Sequence, residues 1–440
     1  MSLPKAVEYV IRTIMDSGGQ AYLVGGALRD HLLGRPVIDY DIAVSLLPDE
    51  VTALFSNHKS WPTGKRFGTI TVKVDKMNME ITTFRQESLY SDARHPDDVS
   101  FVSDINLDLS RRDFTINAMA WNPFQSSALI DPFHGRKDLR RKIIRTVGSP
   151  YERFAEDPLR IMRGIRFSAQ LDFKIDEETK KAMAACSEKL RKVSAERTQD
   201  ELNKLLLSPH PDKGLLQLEV SVVLSILFPP GKGLQRNALT SQSRDKLQLV
   251  KHLTMHLPLR LAGLTSLLYD GDYTKPEIID SLKSILSLLK YDKKTIAYVL
   301  KLLYGYSNFL SMKISPYTMR KLIGQLGVED TMNILSWIDI TNQLNGSMVD
   351  VDELSEKLNK AYIILSNVQK NNDPVFFEQL AVKGNDVLKA GIGKKDPKLV
   401  GEALELAYQW ILENPELNNT DCLLAMLTKH YKKISDTVQH

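Results

Sequence analysis

The sequence predicts an α+β N-terminal domain followed by an all-helical remainder, and three observations carry that reading. Strict alternation of apolar residues is confined to the first third of the chain. Apolar stripes at helical spacing fill the rest, as in "TKKAMAACSEKLRKVSAERTQDELNKLLL" and "DSLKSILSLLKYDKKTIAYVLKLLY". The 440 residues also exceed what one hydrophobic core serves, which points to about two to four domains.

Taken in order, Val7, Val10, Ile11, Ile14 and Met15 recur at helical spacing, and "DSGG" ends that helix. "QAYLV" reads as a short strand, "ALRDHLL" as a helix following Gly25 and Gly26, and "IDYDIAV" as a second strand. "PDEVTALF" is a helix with proline in its first turn. "TITVKVDKMNMEITTF" alternates on both sides of a Lys76–Asn78 turn and reads as a β-hairpin. Helices mixed with antiparallel strands over one sheet make residues 1–140 an α+β domain. Residues 85–110 form a polar segment, expected to be a long functional loop. From Leu139 onward strand patterns disappear, and "SPHPDKG", "FPPGKG" and "YDGDYTKPE" punctuate helices. Helical subdomains are expected over residues 141–210, 211–330 and 331–440.

Bulk properties exclude some classes. At 43% hydrophobic and 25% charged the composition is that of a soluble globular protein. A net charge of +4 is compatible with a polyanionic partner without demanding one. Cys186 and Cys422 are the only cysteines, so neither a disulfide framework nor zinc-ligand spacing exists. The N-terminal apolar stretch carries acids, and nothing approaches ~18 consecutive apolar residues. A cytoplasmic protein with no membrane partner is expected.

The chemistry concentrates in "YLVGGALRDHLLGRPVIDYDIAVS", residues 22–45. Asp39 and Asp41 sit at i and i+2 of the second strand and face one side, roughly 6.6 Å apart. Such carboxylates repel unless a cation sits between them. A strand-end pair facing water is the commoner use of D-x-D. Two divalent ions would instead clamp the attacking and leaving oxygens of a phosphoryl transfer. Gly25 and Gly26, between strand and helix, let backbone N–H groups approach a phosphate, and Arg29 can add a bidentate contact.

Gly-Gly, a short helix and D-x-D on a strand resemble the nucleotidyltransferases of the DNA polymerase β superfamily. "RRDFTINAMA" (111–120), "EDPLRIMRGIRF" (156–167) and "SAERTQDEL" (194–202) follow in the order of the class II tRNA nucleotidyltransferases, the CCA-adding enzymes. The C-terminal "VLKAGIGKKDPKLVGEALELAYQWILENPELNNTDCLLA" is similar to that family's tail as well. The resemblance implies a polymerase β-like head with a mixed sheet, then an all-α neck, body and tail. It implies Mg²⁺ at Asp39 and Asp41, and CTP and ATP as nucleotides. Gly26, Arg29 and Arg112 fall on nucleotide-binding positions, as do Asp157, Arg160, Arg163 and Arg166 on the neck. The acceptor and T arms of tRNA are the implied partner, docked by residues 331–440; a homodimer is one assembly the resemblance allows. The 85–110 segment matches a flexible loop associated in the family with switching from C to A.

Asp157 and Arg160, three apart, are expected as helix neighbours, either as a plain salt bridge or as a base reader. Cytosine and adenine both show an amino group beside an unprotonated ring nitrogen on their Watson–Crick edge. A carboxylate and a guanidinium would accept these and reject uracil and guanine. Arg166, three steps of three from Asp157, begins nearly opposite it on a helix. Asp113 can pair with Arg112, or, by resemblance, help Asn117 organise ribose and strand. Glu80 is a candidate third acid, the alternative being a solvated edge carboxylate. Glu196, Arg197 and Glu201 are expected to brace the neck helix, and Ile161, Ile165 and Phe167 to anchor it in the core. The function expected is template-independent addition of C, C and A to tRNA. The alternatives are an A-only tRNA adenylyltransferase or a bacterial poly(A) polymerase.

Overall fold

The structure, a computed structural model, describes residues 3–88, 98–125, 129–239, 244–345, 351–394 and 396–438. The chain folds as two compact units, one of Met1–Pro229 with Leu288–Lys290 and a second of Pro230–Ser287 with Tyr291–His440.

In chain order the first unit begins with α1 (Lys5–Asp16), β1 (Ala21–Val24), α2 (Gly25–Leu32), β2 (Tyr40–Val44), α3 (Pro48–Leu54), β3 (Lys59–Gly64), β4 (Thr69–Val74) and β5 (Met77–Thr83). It continues with β6 (Arg85–Ser88), β7 (Asp98–Phe101), α4 (Ile105–Ser110), β8 (Ala120–Trp121) and α5 (Gly135–Arg141). The six strands of the main sheet run β3-β4-β5-β2-β1-β8. Only β2 and β5 pair in parallel; the other neighbours are antiparallel, so the sheet is mixed, as expected. Val7, Val10, Ile11 and Ile14 of α1 are fully buried. Tyr22, Val24, Ala43, Phe84, Ile105, Leu109 and Ala120 form one core cluster.

Several details correct the sequence reading. The hairpin turn is Asp75-Lys76, not Lys76–Asn78: Val74 pairs with Met77, and Asp75 takes φ +53°. Sequence pattern does not mark β3, because Pro62 and Gly64 interrupt its alternation; as an edge strand it tolerates a proline that lacks an N–H. The 85–110 segment is not one loop. β6 and β7 pair as a hairpin, and α4 follows, capped by the Asp104 side chain. The centre of that segment, residues 89–97, lies outside the described residues.

The helical part of this unit carries β9 (Ile143–Ile144), α6 (Pro150–Glu156), α7 (Leu159–Leu171), β10 (Lys174–Ile175), α8 (Glu177–Cys186) and α9 (Ala195–Leu206). Strand pairing therefore continues past Leu139, in a parallel two-residue ladder of β9 with β10. Two residues are too few for alternation to register. α7 packs between α9 and the helix Pro211–Val220. Gly164 lets α7 approach α8 and Phe114, since a Cβ there would meet Met183 Cε at 2.5 Å and Phe114 Cζ at 2.7 Å.

The second unit is helical among its described residues, with long helices at Lys293–Ser311, Val328–Asn345 and Val351–Asn371. Trp337 is fully buried there and stacks on Tyr306 with ring centroids 4.5 Å apart. Its C-terminal core gathers Val387, Ala403, Ala407, Ile411, Leu423 and Leu427. Among the described residues, no helix is long and apolar enough to cross a membrane.

Candidate active site

The sheet brings the acids together. β2 and β5 pair in register with Asp41 opposite Glu80, so both side chains rise from one face. Glu80 is thus beside the acid pair, where a β-hairpin alone could not place it. Asp39 lies just ahead of β2 and is exposed, not inside the strand as expected. Burial pushes the Asp41 carboxyl up to about 6; Arg112 pulls against this, and the charges of Glu80 and Asp39 add to it. None of the three acids makes an ion pair with a described residue. Among the described residues no trio of His, Cys, Asp or Glu is gathered closely enough to hold a metal by itself. An acid group with raised basicity and no cation of its own fits hard divalent ions whose coordination is completed by substrate oxygens.

Next to these acids α2 begins. Gly25 has φ +65°, and a Cβ there would stand 3.2 Å from both Arg112 Nη1 and Asp41 Oδ2. Only a glycine gives this conformation cheaply and leaves both groups room. Gly26 follows, bordering the same space.

A cleft of about 730 Å³ opens over Gly25, Gly26, Asp41 and Glu80. Its lining includes six arginines (85, 111, 112, 160, 163 and 197) against four carboxylates (41, 80, 113 and 157). The excess of guanidinium suits a polyanion. Arg112 is held by fully buried Asp108 of α4, Nη2 to Oδ2 at 3.0 Å, and Arg111 by the same carboxylate at 2.7 Å. Burial would raise the Asp108 pKa, but the Arg112 and Arg111 guanidiniums hold it below the usual carboxylate range. Arg112 therefore does not pair with Asp113, the neighbour suggested by the sequence.

Asp113 instead receives Arg163, at 2.7 Å from Nη2, and an N–H of Asn117 at 3.2 Å. Burial alone would raise its pKa; Arg163 first, then the hydrogen bonds from Arg163 and Asn117, bring it down to about 2.

Asp157 and Arg160 both line the cleft, but not as helix neighbours. Pro158 disfavours helical backbone at the residue before it, and Asp157 is extended at φ −138°, ψ 101°, between α6 and α7. Its carboxylate accepts from Leu159 N at 3.0 Å and from Arg197 Nη2 at 2.8 Å. Arg160 pairs with Glu156, and its Nη2 donates to the Arg111 carbonyl at 3.2 Å. Arg197, expected only as a brace, lines the cleft itself. Arg85 and Arg111 also line it. Nothing in local spacing marks Arg85 or Arg197, because their place depends on strand and helix packing.

A second cleft, of about 870 Å³, shares Gly26, Asp41, Glu80, Asn117 and Arg163 with the first. Arg29 and Arg166 line this one and not the first. Arg29 is buried, with Nε and Nη2 on Asp30 at 3.0 and 2.8 Å and Nη1 donating to Asn117 at 2.9 Å. Arg166 is bound by Glu201 and donates to Gln170 at 2.6 Å. Phe167 is buried as expected, and Arg166, Arg29 and Arg163 stand 4.1, 5.1 and 5.4 Å from its ring centroid. Glu201 braces as expected, through Arg166 and, at 3.7 Å, Arg163.

Comparison with known proteins agrees with this geometry. Residues 21–145 match the family profile of the poly A polymerase head domain, and residues 172–232 that of the probable RNA and SrmB-binding site of polymerase A. A CCA-adding enzyme of Enterococcus faecalis is 34% identical over 437 residues, covering 98% of this chain and 97% of that protein. One from Streptococcus uberis is 48% identical over 218 residues, where the match spans 49% of this chain and about half, 53%, of the relative. Among solved structures, the Bacillus stearothermophilus CCA-adding enzyme in complex with CTP superposes with a TM-score of 0.74 at 28% identity, covering 99% of this chain and 100% of that one.

Proposed function

The chain belongs to the family of CCA-adding enzymes, and from that premise we propose that it adds C, C and A to the 3′ end of tRNA. CTP and ATP are the donors, pyrophosphate leaves, and no nucleic-acid template is used. One observation supports this reading above others: Asp41, Glu80, Asp157 and Arg160 open into the same arginine-rich cleft, while Asp39 borders the adjoining one. Reactive phosphate and selected base are then read within one space.

In that reading Asp39 and Asp41, with Glu80 beside them, hold divalent ions, which we assign as Mg²⁺. When bound, the metal lowers the pKa of the attacking 3′-hydroxyl and stabilises charge on the α-phosphate and the departing pyrophosphate. Gly26 and Arg112 hold the triphosphate, with Asp108 fixing the guanidinium. Asp157 accepts from the exocyclic amino group, and Arg160 donates to the ring nitrogen. Asp157 keeps lone pairs beyond those used by Arg197 and Leu159, and a guanidinium has five N–H donors. Arg163 spans both clefts and holds Asp113, while Arg29 and Arg166 shape the second cleft around Phe167.

Residues 1–140, 141–210, 211–330 and 331–440 serve as head, neck, body and tail, the helical parts docking the acceptor and T arms. Two free cysteines and no disulfide suit the cytoplasm. The deciding assay offers tRNA transcripts ending at the discriminator base, at C and at CC, with each nucleotide singly and mixed. C should join the first two ends and A only the third, with U and G refused. Addition confined to CC ends would make this an A-only enzyme, and runs of A on unstructured RNA a poly(A) polymerase.

A further inference from the structure

We propose that Trp61 stacks on the 3′-terminal base of the growing tRNA, making the second cleft the seat of the acceptor end. This rests on the function proposed above and extends it to a residue that no motif marks.

The sheet register supplies the first argument. Trp61 of β3 pairs with Thr71 of β4, Thr71 with Glu80 of β5, and Glu80 with Asp41 of β2. Residues directly opposite across strands share a face, so these four form one row. All four line the second cleft, and Trp61 does not line the first. Three strand spacings separate Trp61 from Asp41, about 14 Å. A nucleotide whose 3′-oxygen lies at the acids extends its base into this gap, toward the indole at the edge end of the row.

Charge supplies the second argument. Lys204, paired with Asp200 at 2.5 Å and half exposed, lines this cleft alone and keeps N–H donors for a backbone phosphate, whereas the first cleft holds the base-reading pair. The two clefts meet at Gly26, Asp41 and Glu80, as two substrates of one transfer must.

The chemistry of the reaction supplies the third. The acceptor's last base changes at each addition: any discriminator base, then C, then C. Hydrogen-bonding groups tuned to one base would reject the others, whereas an aromatic face accepts every base. Trp61 is 42% exposed on an edge strand and has no ring or cation–π partner among the described residues. An exposed edge tryptophan is a liability for association unless a ligand covers it.

The test measures steady-state addition to the three tRNA ends by wild type, Trp61→Ala and Trp61→Phe. Trp61→Ala should raise the tRNA KM about 5- to 100-fold on all three ends, the range of one base stack. The KM for CTP and ATP should stay unchanged, and Trp61→Phe should restore most of the loss. Unchanged tRNA KM in Trp61→Ala, an effect limited to one end, or no rescue by phenylalanine would overturn the proposal. Failure of the wild-type protein to extend any of the three ends would instead overturn the function on which it rests.

Discussion

The carboxylates that line or brace the site fall into two groups. On the sheet and at its edge, Asp41, Glu80 and, just ahead of β2, Asp39 have no ion pair to a described residue, and Asp41 is raised to about 6 by burial and by its acidic neighbours. On and beside the helices, five acids each have an arginine: Asp108 holds Arg112, Asp113 holds Arg163, Glu156 holds Arg160, Asp157 holds Arg197 and Glu201 holds Arg166. The first group leaves charge for an arriving cation to neutralise. The second settles its charges internally and so fixes the direction of its donors before a nucleotide enters. One part of the site is made for ions that come and go, the other for a shape that must not change.

If that contrast is right, the largest effect belongs to the unpaired acids. Asp39→Asn combined with Asp41→Asn should lower nucleotide incorporation by more than about 10³-fold while tRNA binding persists, since charge stabilisation of this kind is the dominant catalytic contribution. Undiminished turnover would remove the sheet acids from the chemistry. Next in size is selectivity. Sites that hydrogen-bond a substrate edge reject mismatched partners by on the order of 10⁴-fold, and Asp157→Ala should erase about 10² or more of this between CTP and UTP. Metal binding should be spared, and persistent exclusion of U and G would displace Asp157 from base selection.

The stability predictions are smaller and of opposite sign in the two groups. Asp41 carries a raised pKa, so its carboxylate costs stability above pH 6 and that cost vanishes as the pH falls toward 3.8. In metal-free protein at pH 7.5, Asp41→Asn should therefore raise the melting temperature, with a gain of up to about 3 kcal/mol in stability. Asp113 has a pKa lowered to about 2, so it stabilises the fold above pH 3.8 and loses that contribution as pH falls through 2. Asp113→Asn should cost about 2 kcal/mol in urea denaturation at pH 7, and the difference should close between pH 4 and 2. A paired acid that behaved like Asp41 would dissolve the distinction.

How much of this was legible in the sequence follows the range of the forces involved. Periodicity is local, and in the first domain it located β1, β2, β4, β5, α1, α2 and α3. β3 escaped because Pro62 and Gly64 break its pattern, though the edge position excuses both. The polar stretch around α4 concealed a helix, because between its buried Ile105 and Leu109 the buried face carries Asp108, a carboxylate neutralised by arginines that a search for apolar stripes passes over. The motif residues divide between two clefts: Gly26, Asp41, Arg112, Asp157, Arg160 and Arg163 line the first, whereas Asp39, Arg29 and Arg166 line only the second. Their partners were not legible. Arg112–Asp113 and Asp157–Arg160 look paired in sequence, yet the fold joins Asp113 to Arg163, 50 positions away, and Asp157 to Arg197, 40 positions away. A charge pair forms with whichever neighbour the backbone delivers, and sequence spacing reports only the nearest ones.

The main chain at Gly25 sets a gauge. With Arg112 and Asp41 each 3.2 Å from the vacant Cβ position, one methyl-sized space lies against a guanidinium and an acid at once. A methyl group there would act as a wedge, pressing on cation and anion together. In the proposed reaction this gauge is set by main chain and not by the base, so CTP and ATP would meet the same geometry at their reactive end.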